Sequence, residues 1–559
     1  MWLSGEAGGV PAGRCPSGGH FGASSSRPAV PHQGEDFHSM TASEPAAGSA
    51  PDRTVAAADA AGKTGGSSRS ALWQGFIGSV FMTVASIGIG WLAQSSGLRR
   101  YPLFIWMRTD PAGVVLSIAL LAFGGMLLVR AWLRLGQKIT AWVERAHRDI
   151  ILAVIAWGAP MMAAVPLFSR DVYAYIGQGR LVTEHMNPYV QGISSLSNYY
   201  QLGADKMWAE APTPYGQLFL WIEGFVVWVT NVQPELCVLL FRVVAVFGIV
   251  LCIIYVPKLA KLHGVNPQRA LWLTAANPLF LTTFIASVHN DALMVGLAVA
   301  GIYLVATRRA IRGIALVTLS VSVKPITLIF LPFLGLLWAG KGAGWGRKIV
   351  FWILTAGLSL GILWVLSLPN GYGFGWINGL SAPGSVSIWY APVGLLGMVV
   401  RTLGNAVGLP GGSMAGTVFT IGKVLSVAAI AWLILRGDHD RLIRRMALAL
   451  AAVVFLAPMI QSWYVVWLIP LFAVTGIRND WQVKTLYFVV SFLMIYGIAD
   501  QLDVYPYLNP DDTAMPLTIA RNGAAVVSLL FGLYLVFVDP KTRKLFRRQP
   551  GEITATPVL

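Results

Sequence analysis

The sequence predicts an all-α polytopic membrane protein, and two compositional facts and one pattern carry that prediction. Of 559 residues, 55% are hydrophobic and only 12% charged, roughly half the charged share of an average soluble protein, about 25%. A water-facing surface for a chain of this size cannot be built from so few charges, so most of the outer surface faces lipid. The pattern is in the cations. The formal charge of +16 is dispersed in short Lys/Arg clusters between apolar stretches, the arrangement of cytoplasmic loops rather than of a nucleic-acid groove. Nucleic acid is therefore excluded as a partner, and membrane lipids are expected around most of the chain. Three cysteines rule out a disulfide scaffold. Cys237 and Cys252 share one apolar segment, roughly 20 Å apart along a helix, and cannot bridge each other.

Residues 1–70 are rich in Gly, Ala, Ser and Pro without apolar periodicity, so they read as a disordered cytoplasmic tail. No apolar core of signal-peptide length follows a basic start there, and Met40 is a second candidate translation start. A span needs about 20 mostly apolar residues. The first candidates are Leu72–Ala93, Val114–Leu133, Ile151–Phe168, Leu236–Val256 and Ala270–Val288. Ala292–Ala306, Ile314–Val323, Ile326–Ala339 and Val350–Leu368 follow. Thr417–Leu435, Ala447–Met459, Val465–Gly476, Leu486–Ala499 and Ile519–Val538 complete the set. Leu218–Val229 and Val393–Val407 are also apolar.

The cations choose the topology. The clusters at Arg130–Arg148, Lys258–Arg269, Arg308–Arg312, Lys341–Lys348, Arg436–Arg445, Arg478–Lys484 and Lys541–Arg548 all lie on one side only if the two extra stretches do not cross. Those two are then re-entrant or interfacial, which requires protein to cover their backbone. About 14 transmembrane helices result, in a membrane domain at 71–540 with a basic cytoplasmic tail at 541–559. Both termini face the cytoplasm of a plasma (inner) membrane protein. Arg99, Arg100 and Arg108 are the one cluster left outside.

With that topology the remaining polar features collect on the extracytoplasmic side. They are the large loop 169–213, His289-Asn290-Asp291, Lys324-Pro325, the loop Pro369–Ile388, Gln461-Ser462-Trp463-Tyr464 and the loop Asp500–Pro516. A shared cavity is the economical explanation. Asp171 follows a span directly, and two readings compete: an interfacial ion pair with Arg170 that anchors a helix end, or a partly desolvated general base. Tyr173, Tyr175, Tyr189, Tyr199, Tyr200 and Trp208 suit either an aromatic belt or sugar stacking. Asn290 or Asp291 reads as a cap for a helix from Ala292, or as part of a site. No second His/Asp/Glu cluster has spacing for a metal. Lys324 lies between two short apolar stretches, where a cation suits a phosphate better than solvent.

Taken together, Arg170-Asp171-Val172-Tyr173-Ala174-Tyr175, Asn187-Pro188-Tyr189, Thr213-Pro214-Tyr215-Gly216, His289-Asn290-Asp291-Ala292-Leu293, Val323-Lys324-Pro325 and Gln461-Ser462-Trp463-Tyr464 resemble the actinobacterial polyprenol-phosphate-mannose-dependent α-1,6-mannosyltransferases, which have the GT-C glycosyltransferase fold. The resemblance runs from about Trp73 to Asp539. It implies a lipid-linked sugar donor, polyprenyl-phosphate-mannose, and a glycolipid α-1,6-mannan acceptor, the core of lipomannan and lipoarabinomannan. It implies Asp171 as general base of a single inverting displacement and Lys324, with Arg170, at the donor phosphate. Tyr173, Tyr175, Tyr215, His289, Asn290, Asp291, Gln461, Trp463 and Tyr464 are expected to bind substrate. No cofactor or metal is expected. Gln217 replaces the proline more often expected after Tyr-Gly, and its amide either contacts sugar or alters a turn. The alternatives are a GT-C enzyme using another polyprenyl-phosphate sugar such as arabinofuranose, and a lipid-linked saccharide transporter or flippase. A transporter predicts repeated halves and polar groups at the midplane, whereas here they crowd one face.

Overall fold

The computed structural model describes residues 68–138, 144–379, 387–508 and 515–547, and every regular element among them is helical. The tail expected over residues 1–70, including Met40, lies outside the described residues up to residue 67, as do residues 548–559. The helices of eight or more residues are α1 Arg69–Ile89, α2 Pro102–Thr109, α3 Pro111–Lys138, α4 Glu144–Met161, α5 Asp171–Thr183 and α6 Gln217–Thr230. Next come α7 Pro234–Leu262, α8 Pro267–Thr274, α9 Asp291–Ala306, α10 Ala310–Val323, α11 Leu331–Ala339 and α12 Trp345–Ser367. Then follow α13 Pro392–Ala406, α14 Gly411–Leu435, α15 Leu442–Leu456, α16 Ser462–Thr475, α17 Trp481–Leu508 and α18 Met515–Phe537.

Seven helices among the described residues are long and apolar enough to cross a bilayer: α1, α3, α7, α12, α14 and the apolar parts of α17 and α18. This is a multi-pass membrane protein. These seven correspond to seven of the fourteen expected spans, and several of the others are short or broken helices. Ala270–Val288 divides into α8, a turn of helix at Pro278–Leu281 and a π-helical turn at Thr282–Ala286. Pro278 supplies no N–H to continue α8, and the Asn277 side chain caps the new turn by accepting from the Leu279 N–H at 2.9 Å. Ile326–Ala339 likewise starts as a 3₁₀ segment, Pro325–Phe330, before α11. Hydropathy sums over such breaks. The two extra apolar stretches are helices, α6 and α13. Cys237 and Cys252 are buried free thiols.

Lipid contact inverts the usual amphipathic pattern. On α12 the buried residues are Thr355, Ser359, Leu363 and Ser367, one stripe at every fourth position. Ile353, Leu360 and Trp364 on the other faces are more than half exposed. The stripe is small and polar because helices in lipid gain from close approach and interhelical hydrogen bonds rather than from apolar burial. Thr318 of α10 donates across to Ser359 at 2.9 Å. On α14 the buried set is Gly411, Ala415, Gly422, Ser426 and Leu433, the same logic. Arg108, in the cation cluster left outside the predicted topology, is committed: its guanidinium donates to the Ile87 and Gly90 carbonyls at 2.7 Å each. It caps the C-terminal end of α1.

At the centre, α9 is buried on all sides from Asp291 to Ile302, between α7 and α10. Glycines bring the three helices into backbone contact. A Cβ on Gly248 of α7 would lie 2.1 Å from the Ala292 carbonyl oxygen, and one on Gly296 would lie 2.4 Å from that of Gly248. Gly301 of α9 and Gly313 of α10 face each other in the same way. Gly248 thus abuts the start of α9, one residue from Asp291. Gly248→Ala is expected to cost about 1–3 kcal/mol by forced separation. Gly416→Ala, where an added Cβ meets nothing within 4 Å, should be neutral. Detergent-solubilised variants with equal Tm would contradict this account of the crossing.

Candidate active site

Two sharp backbone reversals present the site. Before α5 the chain turns at Phe168, φ 64°, and before α9 at Val288, φ 62°. A β-branched residue in the left-handed region costs on the order of 1–3 kcal/mol and persists only where its surroundings dictate it. Those surroundings are identifiable. The Phe168 N–H donates to the Gln501 Oε1 at 2.8 Å, and Gln501 Nε2 donates to the Ile89 carbonyl at 2.6 Å. Arg242, buried within α7, donates to the Ile285 carbonyl at 2.9 Å and the Met162 carbonyl at 3.0 Å. Its cation thereby serves one carbonyl of the π-helical turn and one just past the end of α4. The Leu167 N–H adds a bond to the Ala286 carbonyl at 3.1 Å, tying the two reversals together.

These turns put Asp171, His289 and Asp291 side by side. His289 Nδ1 lies 3.8 Å from Asp171 Oδ2 and 3.6 Å from Asp291 Oδ2. Asp291 Oδ1 accepts from Lys324 Nζ at 2.8 Å and from the Trp467 indole N–H at 2.7 Å. Burial divides the cluster. His289 and Asp291 are 1% and 0% exposed, whereas Asp171 and Lys324 are 20% and 17% exposed. The two outward groups are therefore a carboxylate and an ammonium, and the two inward groups connect them.

Aromatic rings close the surround. Trp463 packs on the His289 imidazole with centroids 4.1 Å apart, and Tyr464 packs on Trp467 at 4.5 Å. The Lys324 ammonium stands over Trp467 at 5.3 Å and over Tyr215 at 5.8 Å. Tyr215 reaches it because the Thr213–Gly216 segment docks on the end of α10. A Cβ at Gly216 would lie 2.5 Å from the Ser322 carbonyl oxygen, and the Ser322 hydroxyl accepts from the Leu218 N–H at 2.8 Å. The Asn-Pro-Tyr motif braces that segment through the Tyr189 hydroxyl, which donates to the Tyr215 carbonyl at 2.9 Å.

Not every expected residue joins the cluster. Arg170 pairs with Asp205, not Asp171, through bonds of 3.0 and 2.5 Å, and its guanidinium stacks on Trp91 at 4.6 Å. Tyr173 donates to the Trp91 carbonyl at 2.6 Å and lines a separate apolar cavity of about 670 Å³ with Arg242, Pro166 and Val238. Tyr175 is fully buried against Tyr215, Phe219 and Phe241, so it packs rather than stacks on a sugar. The helix explains the split: residues two apart on α5 point to nearly opposite faces, while Asp171 and Tyr175, four apart, share one. Asn290 stands at the N-cap of α9 without a side-chain capping bond; it is buried, and neither amide atom has a partner among the described residues. Asp291 is no cap either, being bonded to Lys324 and Trp467. The Gln461 amide lies against Met459 Sδ at 3.4 Å. Gln217 is buried and donates to the Gly373 carbonyl at 2.6 Å, which makes it a loop tie.

Sequence reading missed Trp467 and Arg242. Trp467 follows Trp463 by four residues on α16 and so shares its face. Arg242 is a lone internal cation in a 29-residue apolar helix, where such a charge is expensive unless it has a task.

Against known proteins, residues 72–340 match the alpha-(1->6)-mannopyranosyltransferase N-terminal domain, and residues 393–535 match the MptB C-terminal domain. Alpha-(1->6)-mannopyranosyltransferase A of Mycobacterium tuberculosis is 30% identical over 407 residues, covering 70% of this chain and 78% of the relative. This chain belongs to the alpha-(1->6)-mannopyranosyltransferase family. A second alpha-(1->6)-mannopyranosyltransferase of that organism is 28% identical over 85% of this chain and 88% of its own length. Alpha-(1->6)-mannopyranosyltransferase B of Corynebacterium glutamicum is 26% identical over 67% of this chain and 68% of its own length. No solved structure matches the chain. The family's two domains meet at the site: Asp171, His289, Asp291 and Lys324 fall in the first, and Trp463, Tyr464 and Trp467 in the second. A helical membrane mannosyltransferase of this family is consistent with the GT-C class of fold.

Proposed function

We propose that this mannosyltransferase moves mannose from polyprenyl-phosphate-mannose to an α-1,6-mannan acceptor of the lipomannan and lipoarabinomannan type, at the extracytoplasmic face, with both termini in the cytoplasm. One observation carries the reading: a partly exposed carboxylate, Asp171, and a partly exposed ammonium, Lys324, stand at the two ends of a single polar cluster. A primary sugar hydroxyl is a poor nucleophile at neutral pH, so its proton must leave as it attacks the anomeric carbon. Asp171 accepts that proton. The departing polyprenyl phosphate gains charge, and a fixed cation stabilises it; Lys324 supplies that cation, held in place by Asp291 and Trp467. A β-linked donor then yields the α product in one displacement, and no covalent nucleophile is needed.

The test is direct. Purified protein in detergent is given synthetic polyprenyl-phosphate-mannose and a short α-1,6-mannoside, and the new linkage is determined. The expected result is an α-1,6-mannosidic bond with release of free polyprenyl phosphate. Preference for polyprenyl-phosphate-arabinofuranose would change the donor. Translocation without release of the lipid phosphate would replace an enzyme with a transporter.

A further inference from the structure

We infer that His289, set between the Asp171 and Asp291 carboxylates, is a proton relay behind the base: it takes from Asp171 the proton that Asp171 removes from the acceptor hydroxyl. The inference rests on the reading of Asp171 as the base. Three observations carry it. Both ring nitrogens of His289 lack a hydrogen-bond partner among the described residues, an uncommon state for an imidazole that is 1% exposed. Its Nδ1 faces two carboxylate oxygens at once, Asp171 Oδ2 at 3.8 Å and Asp291 Oδ2 at 3.6 Å. These separations are too long for hydrogen bonds and short enough for one to form with a small tightening when substrates bind. Finally, Trp463 stacks on one face of the ring at 4.1 Å, so the imidazole presents its edge to the carboxylates.

Exposure assigns the order of transfer. His289 is buried beneath the surface and does not reach an acceptor sugar, whereas Asp171 is 20% exposed. The acceptor O–H bond breaks and its proton goes to Asp171 Oδ2, while the oxygen's electron pair forms the bond to the anomeric carbon. The bond from that carbon to the phosphate oxygen breaks, and its electron pair leaves with the polyprenyl phosphate. The proton then passes from Asp171 to Nδ1 of a neutral imidazole whose own proton is on Nε2. The Asp171 and Asp291 carboxylates favour the imidazolium that results, while its burial and the Lys324 charge oppose it, so the ring holds the proton only briefly and after product leaves returns it through Asp171 to water. The titratable groups facing the ring are Asp171 on α5, Asp291 on α9 and Lys324 at the end of α10.

The test compares His289→Gln and His289→Asn with wild type in purified protein, using polyprenyl-phosphate-mannose and a short α-1,6-mannoside. Asn sets an amide where Nδ1 stood, so it can face Asp171 without accepting a proton. Both variants should lose on the order of 10-fold or more in kcat, as expected for removing a proton-transfer group. KM for the donor should stay within about two-fold, and the shape of kcat against pH should change. Should His289→Gln fail to fold, His289→Asn alone decides. A wild-type kcat and pH profile in a folded His289 variant, or a change confined to KM, overturns the relay and leaves a packing role. Full activity in Asp171→Asn is a separate outcome that overturns the base assignment instead.

Discussion

Asp171→Asn should remove mannosyl transfer, with kcat lower by about 10²–10⁴-fold, the range a positioned base contributes. The substitution changes one oxygen to a nitrogen at a side chain that is 20% exposed. It keeps the first residue of α5 and the backbone bond from the Asp171 N–H to the Ser169 hydroxyl at 3.2 Å. Folding and membrane insertion should therefore match wild type, measured by size-exclusion profile and Tm in detergent. Donor binding should survive as well, because the phosphate contact is made elsewhere. Turnover at the wild-type level would take Asp171 out of the mechanism. Loss of the folded peak would mean that the carboxylate supports structure, and the kinetic reading would then have to come from Asp171→Glu. That variant keeps the charge at a longer reach and should retain a small fraction of activity.

Lys324→Ala carries two effects that separate by design. It deletes the cation proposed to meet the leaving phosphate, expected to lower activity by about 10²–10³-fold. It also leaves Asp291, which is 0% exposed, without its 2.8 Å partner. Breaking a buried pair from one side typically costs about 3–5 kcal/mol, because the remaining charge stays desolvated. Removing both charges, in Asp291→Asn with Lys324→Met, should restore most of the stability and none of the activity. Tm and single-turnover rates on the two variants decide between the effects. Recovery of catalysis in the double variant would show that Lys324 serves only the fold, and an unchanged donor KM and kcat in Lys324→Ala would remove the phosphate contact.

The site was legible in the sequence to the extent that its residues are costly in lipid. His289-Asn290-Asp291 and Lys324 are conspicuous because hydrogen-bonding and charged groups between apolar stretches need partners, and the structure brings His289, Asp291 and Lys324 into one cluster with Asp171, Trp463 and Tyr464. Partner choice was not legible. Arg170 adjoins Asp171 in the chain yet bonds Asp205, 35 residues away, because it precedes α5 with non-helical backbone and its side chain turns to the loop that holds Asp205. Tyr173 and Tyr175 look alike as letters, and one turns to Trp91 while the other packs under Tyr215. Trp467, which bonds Asp291 and lies against the Lys324 ammonium, was hidden because an indole within an apolar helix looks like ordinary core.

What the sequence determined alone is the solvent and the class. Hydrophobic share, scarcity of charge and the clustering of cations are sums over local segments, and they specify a helical protein embedded in lipid whichever way its helices pack. The tertiary structure decided which helices are whole and which polar groups meet. A break at Pro278 or a reversal at Val288 depends on caps and on the carbonyl ties of Arg242, none of which hydropathy registers. The Trp467–Asp291 bond joins residues 176 positions apart, and such a pair exists only where α9 and α16 pack against each other. Hydropathy is additive along the chain; a site is a relation between distant parts of it, and only packing brings those parts together.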